Sequence, residues 1–368
     1  MYIYQHSTWP TFTWQHEHLE SVLGAVRHHQ GRVLGHMEAL GFSLQTEALL
    51  QTLTLEALKS SEIEGELLPS EQVRSSLARR LGIDVAGLVP AERRVEGAVD
   101  MLLDATQGFA QPLTAERLCG WQAALFPTGR SGLQRIQVGA WRTGAKGPMQ
   151  VVSGVVGREQ VHFEAPEAAH VALEMTQFLA WFNTDTSLDA VLKAGIAHLW
   201  FVTIHPFEDG NGRVARALTE LQLARADTSA QRFYSLSAQL RLERNAYYAQ
   251  LEAAQKGGLD ITTWLAWFLA CLGRALHATE QTLAKVLAKA RFWEQHATFS
   301  FNARQQRLLN QLLDGFEGKL TSSKWAAIAK CSQDTATRDI QALLDQGILV
   351  KEAAGGRSTS YRLWEPAY

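Results

Sequence analysis

Two apolar helical patterns separated by a short charged segment constrain this chain more than any other feature. AGIAHLWFVTI (194–204) reads as a helix that is apolar nearly all round, and VARALTELQLA (214–224) resumes the helical period nine residues later. A helix apolar on every side belongs in a core. The residues between, HPFEDGNGR, carry a histidine, two acids, an arginine and two glycines. Charge placed between two buried helices must be neutralised within the fold or by a ligand.

Each group suggests a use. His205, at the end of the first helix and fixed by Pro206, can present a neutral imidazole to accept a proton. The backbone freedom of Gly210-Asn211-Gly212 lets N–H groups turn inward together, and a helix beginning near Arg213 points its positive end at that turn. Arg213 and Arg216 lie three apart on one helical face, and two guanidinium groups beside an anion nest suit a polyphosphate. Glu208 and Asp209 would repel such an anion unless Mg²⁺ lay between.

The rest of the chain supplies the frame. Its 368 residues predict two or three domains, and 46% hydrophobic with 20% charged residues is a globular composition. A formal net charge of −2 gives no global reason for nucleic-acid or membrane binding. Cys119, Cys271 and Cys331 form no CxxC pair, which speaks against zinc or a disulfide framework and for a reducing compartment. With neither a signal-peptide pattern at the N-terminus nor an apolar run of about 18 residues, a soluble cytoplasmic protein is expected.

Helical periodicity covers 15–60 with a break near Gly41-Phe42-Ser43, then 90–126, where Thr114 is an N-cap candidate, then 167 to about 292. Between these, 150–163 alternates around a glycine-containing turn and reads as a hairpin. Residues 300–368 read helix, helix, helix, hairpin, the order of a winged helix-turn-helix.

HPFEDGNGR also matches the Fic signature HPFx[DE]GNGR without a departure, and the chain resembles that family over roughly 50–290. The resemblance implies an all-α Fic core with a small β-hairpin flap, preceded by a helical extension (1–89), spanning 90–295, and followed by the winged-helix domain (300–368). It implies a protein adenylyltransferase that moves AMP from ATP to a Ser, Thr or Tyr hydroxyl of itself or of a target protein. His205 would be the general base and Asp209 would hold Mg²⁺. Gly210, Asn211 and Gly212 would form the anion hole, with Arg213 on the β-phosphate and Arg216 on the γ-phosphate. Glu208 takes no role. Tyr247 would contact the adenosine, and Gln255 would stand where the family often has Asn. In SSEIEG, Ser60 and Glu64 fit the family's inhibitory pattern [ST]xxxE[GN], which implies that Glu64 pairs with Arg216. Val151, Val152, Ser153 and Gly154 are the flap positions expected to register a target segment by main-chain pairing.

Two other readings stay open. One is a nucleotide-sensing regulator binding DNA through the C-terminal domain, with Thr335, Thr337, Arg338 and Gln341 toward a groove, Arg357 and Ser358 at the wing tip, and Asp334 and Asp339 opposing phosphates. The other is a Fic enzyme that removes AMP or uses another donor.

Overall fold

The computed structural model describes the chain except residues 40, 85–86, 155–159, 185–186, 314–315, 317, 353–358 and 365–368, and except the side chains of 42–43, 282–287 and 290. It is mostly helical, with three antiparallel strand pairs among the described residues. In order these are α1 (His16–Glu38), α2 (Phe42–Ile63), α3 (Ser70–Leu81), α4 (Arg93–Gln107), α5 (Ala115–Leu125), β1 (Arg130–Ser131), β2 (Gln134–Arg135), β3 (Gln150–Ser153) and β4 (Gln160–Glu164). Then follow α6 (Ala168–Asn183), α7 (Ala190–Ile204), α8 (Asn211–Asp227), α9 (Leu236–Leu242), α10 (Arg244–Gln255) and α11 (Thr262–Gln295). The chain closes with α12 (Ala303–Leu313), α13 (Ser322–Ala329), α14 (Gln333–Asp345), β5 (Leu349–Lys351) and β6 (Tyr361–Leu363). None of the described helices is long and apolar enough to cross a membrane.

Met1–Thr279 form one compact unit and Glu280–Tyr368 a second. In the first, α7 is the central post. Every residue from Val191 to Ile204 is buried, as its unbroken apolar surface requires, and α8 packs along it. Asp189 caps α7 through the N–H groups of Val191 and Leu192. Thr114 caps α5, accepting from Arg117 N at 3.1 Å, so that reading of the sequence is met by the geometry. The N-terminal helices are packed into this unit: α2 lies against α3, α4, α8 and α9. Its buried Glu56 accepts from Ser235 Oγ and Ser237 N at the start of α9, where a carboxylate complements the helix dipole. The aromatic opening stretch holds a 3-10 turn and packs inward, with Tyr2 edge-on to Phe163 of β4 and Phe12 edge-on to Trp200 of α7.

The second unit has its own core of Leu308, Leu309, Leu320, Trp325, Ala336, Ile340, Leu343, Ile348 and Leu349. β5 and β6 pair with Leu349 opposite Leu363. Arg357 and Ser358 lie outside the described residues. On α14, Thr337, Arg338 and Gln341 are exposed, whereas Thr335 is half-buried against the Ser332 cap. Asp339 does not face outward as expected. The helical phase that buries Ala336 and Ile340 turns it in, where Arg304 Nε reaches it at 2.8 Å.

Candidate functional site

The site is the turn between α7 and α8 together with what closes on it. His205 ends α7 in the left-handed region (φ 52°), a conformation that costs a non-glycine residue about 1–2 kcal/mol. Arg142, which the sequence reading missed, holds it there. Its Nε donates to His205 O at 2.8 Å, Nη2 donates to Pro166 O, and its own N–H donates to Pro206 O at 2.8 Å. A buried cation at the end of α7 satisfies carbonyls that the helix leaves unpaired.

The His205 ring is set up as a base. Nδ1 lies 3.2 Å from Val202 O. A carbonyl only accepts, so Nδ1 carries the proton and Nε2 keeps its lone pair. Burial, aided by the Arg142 charge, lowers the imidazole to about 4, against smaller upward pulls from the Val202 hydrogen bond, Glu64 and Asp209. His205 is therefore neutral at pH 7.

The turn is held from inside. Asn211 Oδ1 accepts from Phe207 N at 2.9 Å, and its Nδ2 donates to Phe207 O at 2.8 Å, so its side chain is consumed in closing the loop. Phe207 is fully buried beside Trp141. Gly210 (φ 90°) begins α8 without a capping side chain, so the N–H groups of the first turn have neither an intrahelical partner nor a cap. Asp209 Oδ1 accepts from Gly210 N at 2.6 Å and Oδ2 from the Ser131 hydroxyl on β1. One carboxylate with a hydroxyl beside it fits a hard cation that brings phosphate and water as its other ligands. No group of three or more potential metal-binding side chains gathers among the described residues. Glu208, given no role from sequence, binds Gln137 N at 3.1 Å and the Lys146 ammonium, fastening the 135–146 loop to the turn.

Both arginines lean toward the end of α2. Arg216, 2% exposed, donates from Nε to Ser60 Oγ at 2.9 Å and from Nη2 to Ser60 O at 2.7 Å, and its Nη1 lies 2.9 Å from Glu64 Oε1. Burial opposes the Glu64 charge, but the Arg216 guanidinium overrides it and the carboxyl is held below the usual range. Arg213 pairs through Nη1 with Glu66, a residue the sequence reading did not single out, and lies over the Phe126 ring. Arg213 Nε is buried without a hydrogen-bond acceptor, whereas Arg216 Nη1 is taken up by the Glu64 carboxylate. Gly212 makes the closure sterically feasible: a Cβ there would sit 2.1 Å from Glu64 Oε1.

The other expected residues lie around this centre. Tyr247 is 1% exposed and bonds His198 Nε2 at 2.7 Å. Its neighbour Tyr248 is half-buried and reaches Glu64 Oε2 at 3.3 Å. Gln255 is also buried and donates to Val202 O at 3.3 Å, the carbonyl that orients His205. The hairpin forms as β3–β4, with a bulge between Val151 and Val152. Val152 is exposed, and Gly154 takes φ 105°. Ser153 Oγ lies 2.6 Å from His162 Nε2, and His162 Nδ1 lies 2.8 Å from Glu252, tying the hairpin to α10.

The turn lies inside a segment that matches a known family. Residues 112–223 match the Fic/DOC family. The chain carries a Fic/DOC domain. Residues 2–83 match a separate family described as a domain of unknown function, DUF4172. A Protein adenylyltransferase Fic of Drosophila yakuba is 34% identical over 131 residues, 34% of this chain and 25% of that protein. The same-named protein of Drosophila grimshawi is 28% identical over 238 residues, 63% of this chain and 38% of that one. The matches thus span well under half of those relatives. A solved Fic family protein from Desulfovibrio desulfuricans G20 shares the fold, with a TM-score of 0.55 at 20% identity over 98% of this chain and 99% of that one.

Proposed function

We propose that this protein is a self-inhibited adenylyltransferase that moves AMP from ATP to a hydroxyl of itself or of a target protein. The observation that carries the proposal is the convergence at the start of α8: an uncapped first turn, two buried guanidinium groups, and an imidazole whose free lone pair is fixed by Val202. That arrangement suits phosphoryl-type transfer, where positioning and charge neutralisation do most of the work.

The roles are those that the Fic resemblance implies for these residues. The target hydroxyl loses its proton to His205 Nε2 as its oxygen bonds the α-phosphorus. The bond from that phosphorus to the bridging oxygen breaks, and pyrophosphate leaves. Arg213 and Arg216 hold the β- and γ-phosphates, and backbone N–H groups of Asn211 and Gly212, joined by that of Gly210 once Asp209 releases it, hold the oxygens that gain charge. Asp209 would hold Mg²⁺, which supplies further neutralisation of the phosphates. The arriving polyphosphate also raises the His205 pKa from its low resting value toward working pH, because an anion nearby favours imidazolium. The exposed edge at Val151–Gly154 registers the target by main-chain pairing. Glu64 on Arg216 opposes all of this at rest, because it fills the space the γ-phosphate needs.

Incubation with α-labelled ATP and Mg²⁺ tests the reading. Glu64→Gly should carry the strongest protein label, wild type much less, and Glu64→Gly/His205→Ala none, since loss of a general base removes about 10²–10⁴ of rate. Equal label in wild type and Glu64→Gly would remove the inhibitory role. Undiminished label in the double variant would remove the base. The winged-helix reading of residues 300–368, and DNA contact through α14, is a separate proposal; salt-dependent retention of a DNA fragment by wild type and not by Arg338→Ala would support it.

A further inference from the structure

The end of α2 carries a second carboxylate whose partner is the other arginine. Gly65 takes φ 83°, Gly65 N bonds Glu62 O at 3.0 Å, and Glu66 N bonds Ser61 O at 3.1 Å. This pair of bonds around a left-handed glycine is the Schellman closure of a helix. Here it sends the side chains on either side of Gly65 to the start of α8. Glu64 reaches Arg216 and Glu66 reaches Arg213. Glu66 Oε1 also lies 3.8 Å from Arg94 Nη1 on α4, so this carboxylate is shared between a buried cation and an exposed one.

Building on the nucleotide reading above, we infer that Glu66 is a second, independent latch that keeps Arg213 from the β-phosphate, so the resting protein disfavours diphosphates as well as triphosphates. A latch made by Glu64 alone occupies only Arg216 and leaves Arg213 open to ADP. The pairing of Glu66 with Arg213 removes that route. The Arg213 side chain is 8% exposed and lies over Phe126, so it has little room to move toward an anion by itself. It is the carboxylate, 28% exposed and on a helix tail, that must leave. Arg94, whose Nε binds Glu92 at 2.8 Å, keeps Nη1 for Glu66: released from Arg213, this carboxylate retains a cationic partner and is not stranded. Glu66 is thus a positioning residue that acts through Arg213 and sets which phosphate chain length the resting site admits.

The test is equilibrium titration of wild type, Glu66→Gln, Glu64→Gln, Arg94→Gln and Glu66→Gln/Arg94→Gln with inorganic pyrophosphate, AMP, ADP and ATP. Glu66→Gln should tighten pyrophosphate and ADP about tenfold, toward the low end of coupling between mutually exclusive contacts, and leave AMP unchanged. Glu64→Gln should tighten ATP more than ADP. Arg94→Gln should act with the opposite sign, weakening ADP about twofold by leaving Glu66 to Arg213 alone, and this effect should vanish in the double variant. A merely structural role for Glu66 predicts neither the dependence on phosphate number nor the sign reversal. Unchanged pyrophosphate and ADP binding in Glu66→Gln would overturn the latch, as would equal tightening of AMP. Tightened pyrophosphate, with no nucleotide bound by any variant, would keep the latch and remove the nucleotide reading.

Discussion

The start of α8 and the end of α2 are opposite helix poles, and each carries the charge its own dipole disfavours. Arg213 and Arg216 stand in the first turns of α8, and Glu62 and Glu64 close α2. Each misplacement costs about 0.3–1 kcal/mol in isolation. Placed against each other, the two ends neutralise their charges. They are anchored very differently. The α8 end is fixed by the two Asn211 bonds, by Arg142 and by the buried α7. The tail of α2 holds on by Ser60, which Arg216 binds, by Ile63 O, which Arg244 binds, and by two carboxylates that remain partly open to water, while Glu56 anchors the body of that helix. On the proposed function, the difference would separate machinery from brake.

Three experiments break or sharpen this contrast, beginning with the largest effect. Gly212→Ala removes the space that Glu64 and a phosphate would share. In a Glu64→Gly background it should lower label transfer at least about 100-fold, comparable to losing an oxyanion donor; a fully active double variant would mean that Glu64 and the nucleotide use different space. The second concerns pH. Burial, with help from the Arg216 charge, lowers His198 to about 3, while the unfolded residue takes a proton near 6.5. The unfolded state therefore binds more protons between those values, and stability falls as pH drops through that window. From pH 6.5 to 5 the share of His198 is roughly 1.5 kcal/mol, read as the difference in urea midpoints between wild type and His198→Gln, with His205 keeping a similar share in both. Third, amide exchange should be about fivefold faster at Glu64–Glu66 than inside α8, with the gap widening in Glu64→Gly. Equal exchange at the two ends would erase the contrast.

Much of this was readable in the sequence because it rests on local rules. The apolar period placed α7 and α8, the Gly-Asn-Gly run placed the turn, and Thr114 marked the start of α5. The rest depends on backbone acceptors or helical phase. Arg142 binds main-chain carbonyls 24 and 63 residues away, which leave no side-chain signature. Tyr247 and Tyr248 are adjacent and so about 100° apart on α10, and only the packing of that helix decides that Tyr247 faces His198 and Tyr248 faces Glu64. The inward turn of Asp339 is likewise a matter of phase. Glu66 escaped notice because the pattern that flags Glu64 ends at Gly65.

Arg142 joins the chain leaving β4 to the residue carrying the base, and each of those contacts is to a peptide carbonyl. A joint made to main chain does not depend on which side chains surround it. The side chains of the β3–β4 hairpin can therefore be exchanged while the imidazole stays in register. A single buried guanidinium in this way uncouples the position of His205 from the side-chain composition of the hairpin.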